Sequence, residues 1–262
     1  MKHDINGLKI HVQEQGTGEL TLLFLHYYGG SLRTWGELIQ RLQEDYRCIA
    51  YDQRGYGDSD KSANSYRIAD LASDASELIH ALGLKRFVLV GHSMGAKAAL
   101  LLASMRPDGL KGLVLIAPAS PTPGDMPKEF RNSMAHFYDT REGAQQAVQD
   151  ISRLPLTNAT YEMLIEDMQK TAPNARNAWP LVAMMEDISN EVPNIDVPTL
   201  ILPGEYDPVD PVDAVNQQVA SRIPNAEVKI VPDTGHLSPV EAPDAVASYI
   251  RTFLLRHVDR ND

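Results

Sequence analysis

Residues 89–105, LVGHSMGAKAALLLASM, decide the fold of this 262-residue chain. An apolar run typical of a buried strand leads into Gly91, and an alanine- and leucine-rich segment typical of a helix follows Ser93. Gly91, Ser93 and Gly95 form the pattern G-x-S-x-G. In a strand that turns directly into a helix, this pattern holds its serine on a tight, strained turn at the end of the strand. The stretch therefore predicts that Ser93 is a nucleophile.

Other apolar runs alternate with helix-like segments along the chain. Seven runs predict strands: residues 8–14, 21–25, 48–52, 87–91, 113–117, 199–203 and 228–232. Five amphipathic segments predict helices: residues 34–44, 68–82, 94–105, 211–223 and 243–255. Most of the runs are continuously apolar, which indicates strands covered on both faces. The alternation predicts an α/β fold with a mostly parallel central sheet flanked by helices, and functional loops at the carboxyl ends of the strands.

Residues 121–190 interrupt this alternation, because they contain several prolines and no continuous strand-like run. We therefore expect a core formed by residues 1–120 and 191–262, with residues 121–190 as a helical insertion. The insertion is rich in methionine and aromatic side chains, which are suited to lining an apolar pocket. Its candidates for substrate binding are Met126, Phe130, Met134, Phe137, Trp179 and Met184.

A serine hydroxyl needs a general base within hydrogen-bond reach. His236 follows the last predicted strand after a short Asp-Thr-Gly turn, which brings it to the same edge of the sheet as Ser93. The other histidines lie near the termini, in helical segments, in the loop after the strand at residues 21–25, or beside the serine. The sequence therefore predicts His236 as the base.

The base needs a carboxylate that orients its imidazole. Asp207 comes a few residues after the predicted strand 199–203, and we choose it as the acid. Asp125, which follows the preceding strand, is the alternative. Asp210 and Asp213 are close to Asp207 in sequence, but Pro211 begins the next helix, which we expect to turn both side chains towards solvent or a helix cap.

With Ser93, Asp207 and His236 in this chain order, the protein resembles the α/β-hydrolase superfamily. The resemblance extends over nearly the whole chain, and YDQRGYGDSD, residues 51–60, is similar to the D-x-R-G-x-G-x-S loop of that superfamily. It implies a serine esterase-like member in which the insertion is a lid. It also implies that Asp52 and Arg54 support the entrance of the site, and we expect the two to pair as a loop clamp.

The same resemblance implies a function for the loop HYYGG, residues 26–30. Acyl transfer passes through an oxyanion that needs preorganised N–H donors. The resemblance implies that the backbone N–H groups of Met94 and Tyr28 form this oxyanion hole, and that His26 anchors the loop. Tyr27 stands where the family usually has glycine, so either tyrosine supplies the second donor. The Tyr27 side chain is left with three roles: lining the acyl pocket, holding the oxyanion through its hydroxyl, or packing under the lid.

These residues predict a hydrolase that cleaves a small or medium, partly apolar carboxylic ester through an acyl-enzyme. Epoxide hydrolases and haloalkane dehalogenases of this superfamily use aspartate at the elbow, so Ser93 argues against both. The alternatives are a lactonase, a C–C bond hydrolase, a cofactor-free perhydrolase, or a ligand receptor without turnover. No cofactor and no metal is expected.

The composition restricts the partners. A net charge of −11 argues against nucleic-acid binding, which needs clustered basic residues. No apolar stretch approaches the ~18 residues of a membrane span, and the first residues lack the apolar region of a signal peptide. A single cysteine, Cys48, excludes an intramolecular disulfide and is compatible with a reducing compartment. We expect a cytoplasmic protein with a small-molecule substrate and no membrane partner; the sequence does not decide whether it forms a homodimer.

Overall fold

The computed structural model describes residues 1–258, which form one twisted mixed sheet with helices on both faces. The eight strands found in these residues are β1 Lys2–Ile5, β2 Leu8–Gln15, β3 Thr21–Leu25, β4 Arg47–Tyr51, β5 Phe87–His92, β6 Leu110–Ile116, β7 Thr199–Leu202 and β8 Ala226–Val228. Their order across the sheet is β1-β2-β4-β3-β5-β6-β7-β8. The pairs β1–β2 and β2–β4 are antiparallel, and the remaining pairs are parallel.

Ten α-helices lie in the same part of the chain. They are α1 Gly36–Leu42, α2 Ile68–Ala81, α3 Met94–Ser104, α4 Lys128–Met134, α5 Arg141–Ile151, α6 Asn158–Lys170, α7 Pro173–Leu181, α8 Val212–Gln218, α9 Ser238–Glu241 and α10 Pro243–His257. Within residues 1–258, none of these helices has the length and apolar character needed to cross a bilayer.

Strand β3 shows why the central runs are continuously apolar. Leu22 and Phe24 face one side of the sheet, where they pack in a core shared with α1 and α10. Leu23 and Leu25 face the other side, where α2, α3 and much of the insertion complete a second core. Successive side chains of a strand point to opposite faces, so a strand that is covered on both sides has no position for a polar residue.

The predicted α/β-hydrolase fold class is confirmed. Predicted strands overlap β2 to β7 closely, whereas β1 was missed because its sequence, KHDI, is mostly polar. The last predicted strand, residues 228–232, lies too far along the chain, because β8 ends at Val228. Lys229 and Val231 still donate to the oxygens of Ile201 and Pro203, both at 2.9 Å. Pro203 has no N–H to donate to the Lys229 oxygen between these two bonds, so the regular ladder is interrupted after Val228.

The insertion contains helices α4 to α7, and all of them lie between β6 and β7 in the chain. In the described structure, residues 121–190 include no strand, as the sequence predicted. The domain boundaries at 120 and 190 and the action of this insertion as a lid remain predictions.

Candidate active site

Ser93 lies on a strained turn between β5 and α3. Its backbone has φ 52° and ψ −113°, outside the regions that non-glycine residues usually occupy. The flanking glycines allow this turn, since a Cβ on Gly91 would lie 2.6 Å from the Ala96 Cα and one on Gly95 would lie 2.2 Å from the Leu25 oxygen. The strand-to-helix turn predicted from the sequence is therefore present, and Ser93 is 6% exposed at its apex.

His236 and Asp207 form a buried pair at the same edge of the sheet. The Nδ1 atom of His236 lies 2.8 Å from Oδ2 of Asp207, and the residues are 3% and 4% exposed. The second oxygen of Asp207 accepts hydrogen bonds from the backbone N–H groups of Val209, at 2.8 Å, and Asp210, at 3.1 Å. These bonds fix the plane of the carboxylate. The alternative acid, Asp125, is exposed and has no contact with His236 in the described chain.

The charges of this pair stabilise each other. Burial alone would lower the pKa of His236, but the neighbouring Asp207 carboxylate outweighs burial and raises it. Burial likewise opposes ionisation of Asp207, yet the charge and the hydrogen bond of His236 hold the pKa of this carboxyl below its ordinary value. An imidazole that accepts a proton here gains a negative partner at once, which is what a general base beside a serine requires.

His92 links the base to the serine turn. Its ring lies 5.2 Å from the ring of His236, and its Nε2–H group donates to the His236 backbone oxygen at 2.8 Å. Because His92 directly precedes Ser93, the base loop is joined to the elbow itself. The Ser93 hydroxyl makes no hydrogen bond within residues 1–258, which is common in sites without substrate, since catalytic hydrogen bonds tighten when the substrate binds.

His26 anchors the loop after β3, as the sequence predicted. Its Nδ1–H group donates to the Tyr27 oxygen at 2.8 Å, and its Nε2 atom accepts from the Gln53 backbone N–H at 3.0 Å. Gln53 also donates from its side chain to the His26 oxygen at 2.7 Å. Burial lowers the pKa of His26 to about 4, so this histidine stays neutral and keeps both bonds at neutral pH.

The two predicted oxyanion donors are available. Met94 is the first residue of α3, and the first N–H groups of a helix have no partner within it. The backbone N–H of Tyr28 has no acceptor in the described structure. The Tyr28 side chain is held by the insertion, because its hydroxyl donates to the backbone oxygens of Arg176, at 2.9 Å, and Met134, at 3.3 Å. The role of the Met94 and Tyr28 backbone N–H groups as an oxyanion hole remains a prediction.

Tyr27 packs behind the elbow. Its ring centroid lies 5.0 Å from that of His92, and its Cε1 atom would be 2.5 Å from a Cβ on Gly30. The buried hydroxyl of Tyr27 has no hydrogen-bond partner in the described residues. These contacts are with the elbow and with the loop of Tyr27 itself, and the choice among the three roles that the sequence left open remains a prediction.

The predicted substrate contacts lie at different depths. Trp179 and Met184 are buried in the core that also holds Tyr27, Tyr28 and Met94. Three others are partly buried against that core: Met126, Met134 and Phe137. Phe130 is 48% exposed, and its ring is edge-on to Phe137 at 5.9 Å. Whether these side chains contact a substrate remains a prediction.

The expected pairing of Asp52 with Arg54 is wrong. Arg54 instead forms a two-pronged pair with Asp74 of α2, with both N–O distances at 2.6 Å. Asp52 accepts from the Leu32 backbone N–H at 2.7 Å and lies 2.8 Å from Nδ1 of His11. The partners lie in other elements, Asp74 in α2 and His11 in β2, and the motif alone does not encode them. Both residues still support the loops around the site.

The sequence did not predict two contacts between the insertion and the site. Glu241 of α9 accepts from the Gly235 backbone N–H at 2.7 Å through one oxygen, and from the backbone N–H groups of Arg153 and Leu154 through the other. The His236 backbone N–H donates to the Ile151 oxygen at 2.8 Å. The insertion is thus bonded to the loop of the base. The position of Glu241, five residues after His236, is the one sequence signal that could have drawn attention to it.

The second missed contact holds the loop after β3. Asp167 of α6 accepts from the Ser31 hydroxyl at 2.6 Å and from Nε of Arg33 at 3.0 Å. Burial raises the pKa of Asp167, and the two donors oppose this effect. Helix α6 is therefore tied to the loop that carries the candidate oxyanion donor.

One cluster has the composition of a metal site. The ligand atoms of His11, Asp52 and Asp58 lie within 4.8 Å of one another. Asp52 is already satisfied by backbone N–H donors and His11, and Asp58 pairs with Lys170. These contacts explain the cluster without an ion.

Ser93 and His236 are both buried in this conformation. Surface clefts of about 510, 480, 410 and 320 Å³ are lined by other residues than Ser93 and His236. The 510 Å³ cleft lies between residues 63–67 and α7, and asparagine and serine side chains contribute to its wall.

Residues 22–249 match the model of the alpha/beta hydrolase family. This chain belongs to that family. A putative carbamate hydrolase, RutD, of Stutzerimonas stutzeri is 30% identical over 196 residues, which cover 71% of this chain and 74% of that protein. The solved structure of a thermophilic esterase from Thermogutta terrifontis, with malate bound, is 27% identical with a TM-score of 0.82, over 98% of this chain and 99% of that one.

Some relatives share only part of their length. Epoxide hydrolase 3 of Siraitia grosvenorii is 38% identical over 112 residues, which are 42% of this chain and 35% of that protein. The chain spans less than half of the length of several curated relatives that it matches. The match shows the family of the chain, and the activity of the protein is a separate question.

Proposed function

We propose that the protein is a serine hydrolase that cleaves small or medium carboxylic esters with a partly apolar acyl or aromatic group. The observation that carries this proposal is the buried 2.8 Å contact between His236 and Asp207, bonded through His92 to a serine on a strained turn. A nucleophile, a base and an orienting carboxylate in one unit are the parts that acyl transfer needs.

The first half of the reaction forms the acyl-enzyme. His236 Nε2 takes the proton of Ser93 Oγ while this oxygen bonds to the ester carbonyl carbon. The carbonyl oxygen becomes negative and is held by the backbone N–H groups of Met94 and Tyr28. His236 then gives the proton to the leaving alkoxide. Asp207 stays ionised and stabilises the imidazolium at each proton transfer.

The second half releases the acid. Water replaces the alcohol and loses a proton to His236 as it attacks the acyl carbon, and the returning proton restores the Ser93 hydroxyl. All the groups required belong to this chain, so the proposal needs no cofactor.

The serine at the elbow supports esters over epoxides. In the epoxide hydrolases and haloalkane dehalogenases of this superfamily the elbow nucleophile is aspartate, whose carboxylate opens the epoxide ring or displaces the halide. Ser93 occupies that position here. The carbamate hydrolase named among the relatives makes a carbamate a reasonable second substrate class, since the same serine attack applies to its carbonyl.

Substrate entry requires the insertion to move. Ser93 and His236 are buried, and Tyr28 and His236 are hydrogen-bonded to insertion residues. Opening of α4 to α7 would expose Trp179 and Met184, whose apolar side chains suit an acyl or aromatic group.

The test is steady-state hydrolysis of a panel of p-nitrophenyl esters graded by acyl length, with a lactone, a thioester, a ring-fission product and an aryl carbamate included. We expect repeated turnover that falls at least about 10³-fold in Ser93→Ala. Ser62→Ala, at an exposed position, is the matched control and should keep wild-type rates. Wild-type turnover by Ser93→Ala would refute the proposal, and a single turnover followed by a stable bound state would indicate a receptor instead.

A further inference from the structure

A second carboxylate faces the base. Oδ2 of Asp210 lies 4.0 Å from Nδ1 of His236, the same nitrogen that Asp207 contacts at 2.8 Å. We expected the helix starting near Pro211 to turn Asp210 away from the site, and that expectation is wrong. Helix α8 begins only at Val212, so the turn between Asp207 and the helix carries Asp210 back towards the imidazole.

Asp210 differs from Asp207 in how its oxygens are used. Both oxygens of Asp207 are hydrogen-bonded, one to His236 and the other to two backbone N–H groups. The carboxylate of Asp210 makes no hydrogen bond within the part of the chain that the structure describes, although only 19% of its side chain is exposed. Burying a carboxylate that makes no hydrogen bond costs stability, so the position of Asp210 beside the base calls for a function.

We propose that Asp210 is a positioning residue that acts through His236, as a second carboxylate that stabilises the imidazolium formed during acyl transfer. The inference rests on the proposed function, because it concerns the same base. Asp210 takes no proton in the reaction: the proton moves from Ser93 Oγ to His236 Nε2, and the negative charge of Asp210 lowers the energy of that state.

The charges around Asp210 come from three elements. His236, in the loop after β8, favours the ionised form of Asp210, while Asp207, in its own loop, opposes it. Lys97 of α3 also favours ionisation. On the other side of the imidazole, Glu241 of α9 favours protonation of His236.

Asp210 changes its charge at a pH close to neutrality. Burial is the largest cause of the shift that raises the pKa of Asp210 to about 7. Near neutral pH the carboxyl therefore changes between a neutral and a negative form. When it is negative, it raises the pKa of His236. The two groups then titrate as a coupled pair.

The test is the pH profile of kcat/KM for Asp210→Asn. This substitution removes a negative charge 4.0 Å from the imidazole, so the pKa of His236 falls and the acid limb should move to lower pH by about one unit. The plateau value of kcat should fall several-fold, because the imidazolium is less stabilised, while KM stays the same. Asp210→Glu keeps the negative charge, so the acid limb of its pH profile should lie close to that of the wild type.

Asp213→Asn is the matched control. It removes the same charge from the first turn of α8, where the side chain is exposed. Its acid limb should coincide with that of the wild type. An acid limb of Asp210→Asn that also coincides with the wild type, or a change in KM alone, would overturn the inference. If Ser93→Ala is inactive while the pH profile of kcat/KM for Asp210→Asn is unchanged, this inference is refuted and the proposed function still stands.

A second measurement uses the wild-type protein, so it does not depend on the folding of a variant. The ring protons of His236 can be followed by NMR in the wild-type protein as the pH is raised. Two coupled steps, one of them from the neighbouring carboxyl, are the expected result. A single step would contradict the inference.

Discussion

The Nε2–H group of His92 donates a 2.8 Å hydrogen bond to the backbone oxygen of His236 and so joins the serine turn to the loop of the base. Rings on two sides hold this imidazole, with the Tyr27 centroid at 5.0 Å and the Trp35 centroid at 6.1 Å. Burial lowers the pKa of His92 to about 3, so the group stays neutral and remains a donor. His92 therefore acts as a structural brace next to the nucleophile.

His92→Phe removes this brace and keeps an aromatic ring between Tyr27 and Trp35. The buried oxygen of His236 loses its donor, so we expect the free energy of unfolding to fall by about 1–3 kcal/mol. Turnover should also fall, because the base is less firmly placed beside Ser93. Urea unfolding and ester hydrolysis measure the two effects. Unchanged stability together with unchanged kcat would show that the bond does not hold the base.

Tyr27→Phe decides between the roles proposed for this tyrosine. The buried hydroxyl has no partner in residues 1–258, so its removal should leave the free energy of unfolding unchanged or raise it. Turnover should stay within about twofold of wild type, since the oxyanion donors are backbone N–H groups. A loss of about 10²-fold or more in kcat, as expected for a lost oxyanion donor, would mean that the hydroxyl reaches the substrate.

Gly95→Ala tests the shape of the elbow. The new Cβ would lie 2.2 Å from the Leu25 backbone oxygen, so β3 and α3 would have to separate. We expect an unfolding free energy lower by several kcal/mol, about 3 or more, and loss of hydrolysis. Gly36→Ala is the matched control, because a Cβ there meets no atom within 4 Å and alanine favours α1. Equal effects of the two variants would contradict the elbow geometry.

Lys97→Met tests a buried charge one turn after Ser93. Lys97 is 1% exposed, and its ammonium donates to the backbone oxygens of Met184, at 3.1 Å, and Thr122, at 3.4 Å. Burial lowers the pKa of Lys97 from 10.5 to about 8. Between these values the unfolded chain binds more protons than the folded chain, so stability contributed by this group rises with pH.

We therefore expect wild-type stability, relative to Lys97→Met, to increase by up to about 3 kcal/mol between pH 8 and 10.5. Urea unfolding at a series of pH values measures this difference. A difference that does not change with pH would mean that the lysine keeps its ordinary pKa in the folded protein.

The sequence predicted the features that local rules control. The turn at Ser93 needs glycines at fixed spacing, and a strand covered on both faces needs an unbroken apolar run. A short stretch of neighbouring residues therefore specifies each of these two features. The positions of Asp207 and His236 followed from the rule that parallel strands end at one edge of the sheet. The structure brings these two side chains together at 2.8 Å.

What could not be predicted depends on contacts between distant parts of the chain. The path of the short turn before α8 brings Asp210 towards His236, and the sequence pattern does not specify that path. Glu241 and Asp167 have partners 88 and 136 residues away, in Arg153 and Ser31. No local pattern specifies such pairs, because they depend on how the insertion packs.

The most direct test of the central claim is covalent labelling with a fluorophosphonate ester, followed by peptide mass spectrometry. If Ser93 is a nucleophile activated by His236 and Asp207, one adduct per chain should form on Ser93, and His236→Ala should form it at least about 10³-fold more slowly. An adduct on a different residue, or labelling of His236→Ala at the wild-type rate, would contradict the account.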